Sequence, residues 1–86
     1  MLAARLVGNI WATRKINSLN GLKFMLAEVI NNQEEKQRLI VADTIGAGIG
    51  DRVIICTGSS AKLIFEERAM PVDAAVIGII DEDCHF

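Results

Sequence analysis

The chain has no tyrosine, one tryptophan, one histidine and one proline among its 86 residues. Each shortage excludes something. With three phenylalanines, one tryptophan and a net charge of −2, it lacks the basic stripe and stacking aromatics that nucleic-acid binding uses. No apolar run approaches the roughly 18 residues of a membrane-crossing helix. Met1–Gly8 has no charged region followed by a long apolar core, so no signal peptide is expected. Cys56 and Cys84 form no CxxC pair; Cys56 reads as a small buried hydrophobe and Cys84 as part of a polar tail, in a reduced, cytosolic chain. The lone histidine, His85, sits in that tail. Cys56, Thr57, Ser59 and Ser60 therefore have no positioned base, and nucleophilic catalysis is not expected.

What is present is aliphatic. Hydrophobic residues make up 51% of the sequence, a large supply for one small domain spanning residues 1–86. A body of this size has a modest core of its own, and oligomerisation buries the surplus. Leu2–Thr13 is a β-rich run interrupted by Gly8, which marks a bulge or bend. Asn20-Gly21 signals a turn. Leu22–Ile30 is expected as a strand with Phe24, Leu26 and Glu28 on one face and Met25, Ala27 and Val29 on the other, both faces covered. A helix competes there, since Met, Leu, Ala and Glu favour one; the preceding turn decides for the strand. Asn31–Gln37 is a solvated loop. Arg38–Ala42 and Arg52–Thr57 are further strands, Ala61–Glu67 a short helix that Ser59 or Ser60 can cap, and Val72–Ile80 a last strand with Gly78 as a second bend. Residues 82–86 form a polar tail. Five strands with one short helix late in the order imply a small OB-like β-barrel, whose closure removes exposed edges. Trp11 is expected in the core or in an interface.

Ile45-Gly46-Ala47-Gly48-Ile49-Gly50-Asp51 joins two of the strands. Alternate glycines forbid a stable helix and permit close backbone approach. Three readings stand: a phosphate cradle, a tight strand connection, or contact with a neighbouring subunit. A phosphate site needs the loop to open a helix, and Asp51-Arg52 leads instead into Val53-Ile54-Ile55. Asp43 and Asp51 flank the loop as turn-capping or salt-bridged carboxylates, with Arg14, Lys15, Arg38 and Arg52 as available cations. Asp81, Glu82, Asp83, Cys84 and His85 could ligate a metal only if a second element joined them; a solvated acidic terminus is the expectation. No catalytic residue, cofactor or metal is assigned.

The order of motifs resembles the EutN/CcmL-type family of bacterial microcompartment vertex proteins. The carrying residues are Gly8 with Thr13-Arg14-Lys15, then Leu19–Leu26, Val41–Asp51, Gly58-Ser59-Ser60-Ala61-Lys62 and Pro71–Asp81. Two positions depart from the usual pattern: Asp51 where Glu is frequent, and Lys62 where Arg is frequent. Both keep the charge sign, although lysine forfeits a bidentate contact. The resemblance implies a mainly β, OB-like barrel assembling as a cyclic pentamer. It implies a structural shell protein that caps fivefold vertices beside hexameric shell proteins, in the bacterial cytoplasm. It bears no catalytic role, and neither nucleic acid nor membrane is a partner. Asp43, Ile45, Gly46, Ala47, Gly48, Gly50 and Asp51 would then lie at the subunit interface or near the pore, and Ser59, Ser60 and Lys62 would cap the helix and border the same interface. The alternative is an OB-like binding module for a nucleotide or single-stranded nucleic acid.

Overall fold

A computed structural model of the chain describes residues 1–31, 37–58, 61 and 72–86. Of the expected helix over 61–67 only Ala61 is among them, and Ser59, Ser60 and Lys62 fall outside. Five strands are present: β1 (Leu2–Ile10), β2 (Lys23–Val29), β3 (Arg38–Asp43), β4 (Arg52–Thr57) and β5 (Ala74–Ile79). They close into a barrel in the order β1-β2-β3-β5-β4. All pairings are antiparallel except β3 with β5. This is the expected five-stranded, OB-like architecture, and closure leaves no open sheet edge.

The alternation of residues in each strand sets inside and outside. Leu2, Ala4 and Leu6 of β1 share one core with Met25 and Ala27 of β2, Val41 of β3, Val53 and Ile55 of β4 and Val76 of β5, and Val29 of β2 is buried as well. Leu6, Met25, Ile55, Val41, Val53 and Val76 are fully buried, each worth about 1.5–3 kcal/mol. Alanines 4, 27 and 74 fill the narrower layers. The outer residues of β2, Phe24 and Leu26, are half-buried, so the strand is covered in part on both faces. A smaller apolar cluster lies outside the barrel. There Leu19, on a 3₁₀ turn over Asn17–Leu19, packs with Leu22, Phe24, Ala42 and Val72.

Bends occur where the two strand glycines predicted them. The β1–β2 register shifts between Leu6 and Gly8, making Val7 the extra residue. On the opposite side Ile54 faces Gly78 while Ile55 faces Val76, which leaves Ile77 as the extra residue of β5. Such bulges increase local twist and let short strands turn the corners of a small barrel. The first strand ends at Ile10 rather than Thr13, and Trp11 begins an irregular segment. Among the described residues no helix is long and apolar enough to cross a membrane.

Candidate assembly site

The glycine segment is the lid of one barrel end. Ala47 is buried and joins the main core cluster, so residues 44–51 close the barrel by dropping one methyl group into it. Gly46 and Gly50 take φ of +82° and +93°, values that carry a steric cost for any residue with a Cβ. These reversals turn Ala47 inward and return the chain to β4. Gly50 N–H donates to Leu6 O at 2.8 Å, and Leu6 N–H donates to Asp51 O at 3.0 Å. The segment is thus a tight strand connection stitched to β1. No helix N-terminus opens after it, which removes the geometry a phosphate cradle requires.

Two carboxylates pin the lid. Asp43 Oδ1 accepts the Ile45 N–H at 3.1 Å, and Asp51 Oδ2 accepts the Gly48 N–H at 2.8 Å. Both are turn-capping interactions of the sort expected for Asp. The ion pairing differs from what the sequence offered. The Asp43 side chain is 0% exposed, and its counter-ion is Lys23 Nζ, 3.1 Å from Oδ2. That oxygen makes no hydrogen bond of good geometry, so the contact is chiefly coulombic. Lys23 also donates to the Ala47 carbonyl, tying strand, carboxylate and lid together. Antiparallel pairing sets Lys23 directly opposite Asp43. That register is the signal that could have identified Lys23, which the sequence reading did not single out. Asp51 forms no ion pair among the described residues.

The other proposed cations lie elsewhere. Arg38 Nε donates to Glu28 Oε2 at 3.0 Å, a surface pair of at most about 1 kcal/mol. Arg52 faces Arg5 across β1 and β4, and Arg5 faces Glu28. Arg52 donates to the Asp81 carbonyl at 2.8 Å, and its guanidinium stands 5.2 Å from the centre of the Phe86 ring. This folds the polar tail back against β4. A cleft of about 500 Å³ beside it is lined by Arg5, Asp51, Arg52, Asp81, Glu82 and His85 among others. It holds charges of both signs and no nucleophile with a base. Among the described residues, no three Asp, Glu, Cys or His side chains converge as metal ligands. Cys56 is half-buried on the outer wall opposite Ala75, not the buried hydrophobe expected of it. Thr57 is exposed.

The unusual chemistry of this surface is apolar. Ile45 and Ile49 stand exposed on the lid, Ile49 by 60%, and Ile40, Ile54, Ile77 and Ile79 are exposed on the barrel. Trp11 is 88% exposed, which excludes it from the core. Isolated exposed aliphatics are ordinary; exposed apolar area becomes a sign of contact where such side chains gather into a patch. A pinned lid presents its isoleucines without further ordering cost on binding. Fold and surface together define a small closed β-barrel whose lid and walls carry exposed isoleucines.

Comparison with known proteins identifies which barrel this is. The family described as "Ethanolamine utilisation protein EutN/carboxysome" matches residues 1–81, and the chain belongs to that family. The carboxysome shell vertex protein CcmL of Thermosynechococcus vestitus is 36% identical over 83 residues, covering 94% of this chain and 84% of that protein. The microcompartment shell vertex protein EutN of Escherichia coli K12 is 37% identical over 84 residues, covering 95% and 88% respectively. Among solved structures, the pentameric shell protein MSM0273 from the RMM microcompartment superposes with a TM-score of 0.87 at 36% identity, covering 100% of this chain and 96% of that one.

Proposed function

We propose that the chain is a structural shell protein of a bacterial microcompartment, one domain over residues 1–86, that forms cyclic homopentamers at the fivefold vertices. The supporting observation is the correspondence of this chain, over 94% or more of its length, with two shell vertex proteins and with a pentameric microcompartment shell protein of known structure. The physical logic is geometric. A sheet of hexamers is flat, and it closes into a polyhedron only where fivefold units interrupt it. A ring of five requires one heterologous contact repeated at a fixed rotation. A closed barrel with a pinned lid supplies a rigid protomer for that contact, and the exposed isoleucines supply apolar area to bury.

In this reading the lid residues Ile45, Gly46, Ala47, Gly48 and Gly50, held by Asp43 and Asp51, lie at the subunit interface or near the central opening. Hexameric shell proteins contact the outer rim, the assembly sits in the bacterial cytoplasm, and the protein's work is structural rather than catalytic. The test is co-production with hexameric shell proteins, imaged by electron microscopy. Closed polyhedra that form with the chain and open sheets or tubes without it support the function. Identical open assemblies in both cases contradict it.

A further inference from the structure

Residues 82–86 lie beyond the matched segment 1–81, and the vertex function does not account for Trp11. The tail and the tryptophan carry complementary chemistry. Beside Trp11 runs a groove of about 310 Å³ whose floor includes Ile10, Leu22 and Phe24. Lys15 lines it, as does Lys23, the counter-ion of Asp43, with no carboxylate among the lining residues, and exposed Arg14 immediately precedes Lys15 in the chain. The tail offers the reverse: Asp81, Glu82 and Asp83, then an aromatic ring at Phe86 that is 68% exposed. Arg52 stacks on the Phe86 ring and leaves most of the ring open to another partner.

We propose that the tail of one copy docks in the Trp11 groove of the next, with Phe86 on the apolar floor and Glu82 and Asp83 against Arg14 and Lys15. A copy does not fill its own groove. Arg52, which holds the tail, pairs with Arg5 at one level of β1, whereas the groove begins at Asn9. Four residues of strand separate the two, roughly 13 Å at about 3.3 Å per residue. The tail itself is turned, with Cys84 N–H donating to the Asp81 carbonyl at 3.0 Å. A donor at one place and an acceptor at another on the same molecule is the arrangement of a heterologous, ring-forming contact. Tryptophan and arginine are the residues on which such contacts concentrate their energy. The opposed charges select the tail over an uncharged apolar segment.

The proposal rests on the pentamer reading, and Trp11 reports on it directly, being the one tryptophan in a chain without tyrosine. Fluorescence emission and acrylamide quenching of the intact protein are measured beside its native mass. In a pentamer, docking gives blue-shifted, quencher-protected Trp11 emission. Phe86→Ala shifts it to the red and loses the protection. Charge reversal of the tail, Glu82→Lys with Asp83→Lys, does the same, and adding Arg14→Glu with Lys15→Glu restores protection. Unchanged Trp11 emission in a pentameric Phe86→Ala protein overturns the docking and leaves the vertex reading standing. A wild-type monomer with solvent-exposed Trp11 overturns both.

Discussion

Asp43→Ala tests the most buried electrostatic feature of the barrel. The substitution removes an acceptor for the Ile45 N–H and the counter-ion of Lys23. A turn-capping carboxylate is worth about 0.5–2 kcal/mol, and a hydrogen bond to a charged group about 1.5–3 kcal/mol. The full cost of breaking a buried ion pair, about 3–5 kcal/mol, does not apply, because Lys23 is 46% exposed and its ammonium can turn to water. The expected destabilisation is therefore about 2–3 kcal/mol, a large share of what a domain of this size has. The reciprocal variant Lys23→Met is asymmetric. It strands a carboxylate with 0% exposure, so it should cost at least as much as Asp43→Ala. Asp43→Asn with Lys23→Met removes both charges and should recover about 1–2 kcal/mol of that loss, a coupling typical of residues in contact. Urea unfolding at one fixed protomer concentration reads these differences, since assembly makes apparent stability depend on concentration. Losses under about 0.5 kcal/mol for Asp43→Ala, the range of ordinary surface substitutions, would refute the lid-pinning role.

Other outcomes follow from the same geometry. Gly46→Ala and Gly50→Ala force a Cβ into φ of +82° and +93° and should each cost about 1–3 kcal/mol, measured by thermal unfolding. Gly48 has no such constraint, and a Cβ there meets only Asp51 Oδ2, at 3.8 Å. Gly48→Val should therefore keep the fold, and a drop in sedimenting mass would trace to a neighbour packed on that position; an unchanged pentamer would count against close packing there. Leu6→Ala empties a fully buried core site and should cost about 2–5 kcal/mol by urea unfolding. Ile49→Asp, on the exposed lid, should leave fold stability within about 0.5 kcal/mol while reducing native mass.

The fold was legible because its strands carry local signals. The alternation in Leu22–Ile30 puts Met25, Ala27 and Val29 together on one face, and all three are buried. Gly8 and Gly78 mark the two bulges. The lid was legible as a strand connection with capping aspartates, since those contacts span two or three residues. Its plug was not. Ala47 is one methyl group between glycines, and its burial depends on the shape of a barrel end assembled from distant strands. The Lys23–Asp43 pair joins residues 20 positions apart and follows only once the β2–β3 register is known. Cys56 misled for a related reason. Apolar neighbours on both sides do not reveal which wall of a barrel a side chain faces. Trp11 shows the limit of reading hydrophobicity as burial: the tryptophan expected in the core or in an interface is 88% exposed on the single chain.

Native mass in solution tests vertex assembly most directly. A cyclic pentamer of the 9.4 kDa chain predicts one species near five times that mass, persisting on dilution at physiological salt and reduced by Ile49→Asp. A stable monomer under the same conditions, with the barrel intact by circular dichroism, would contradict it.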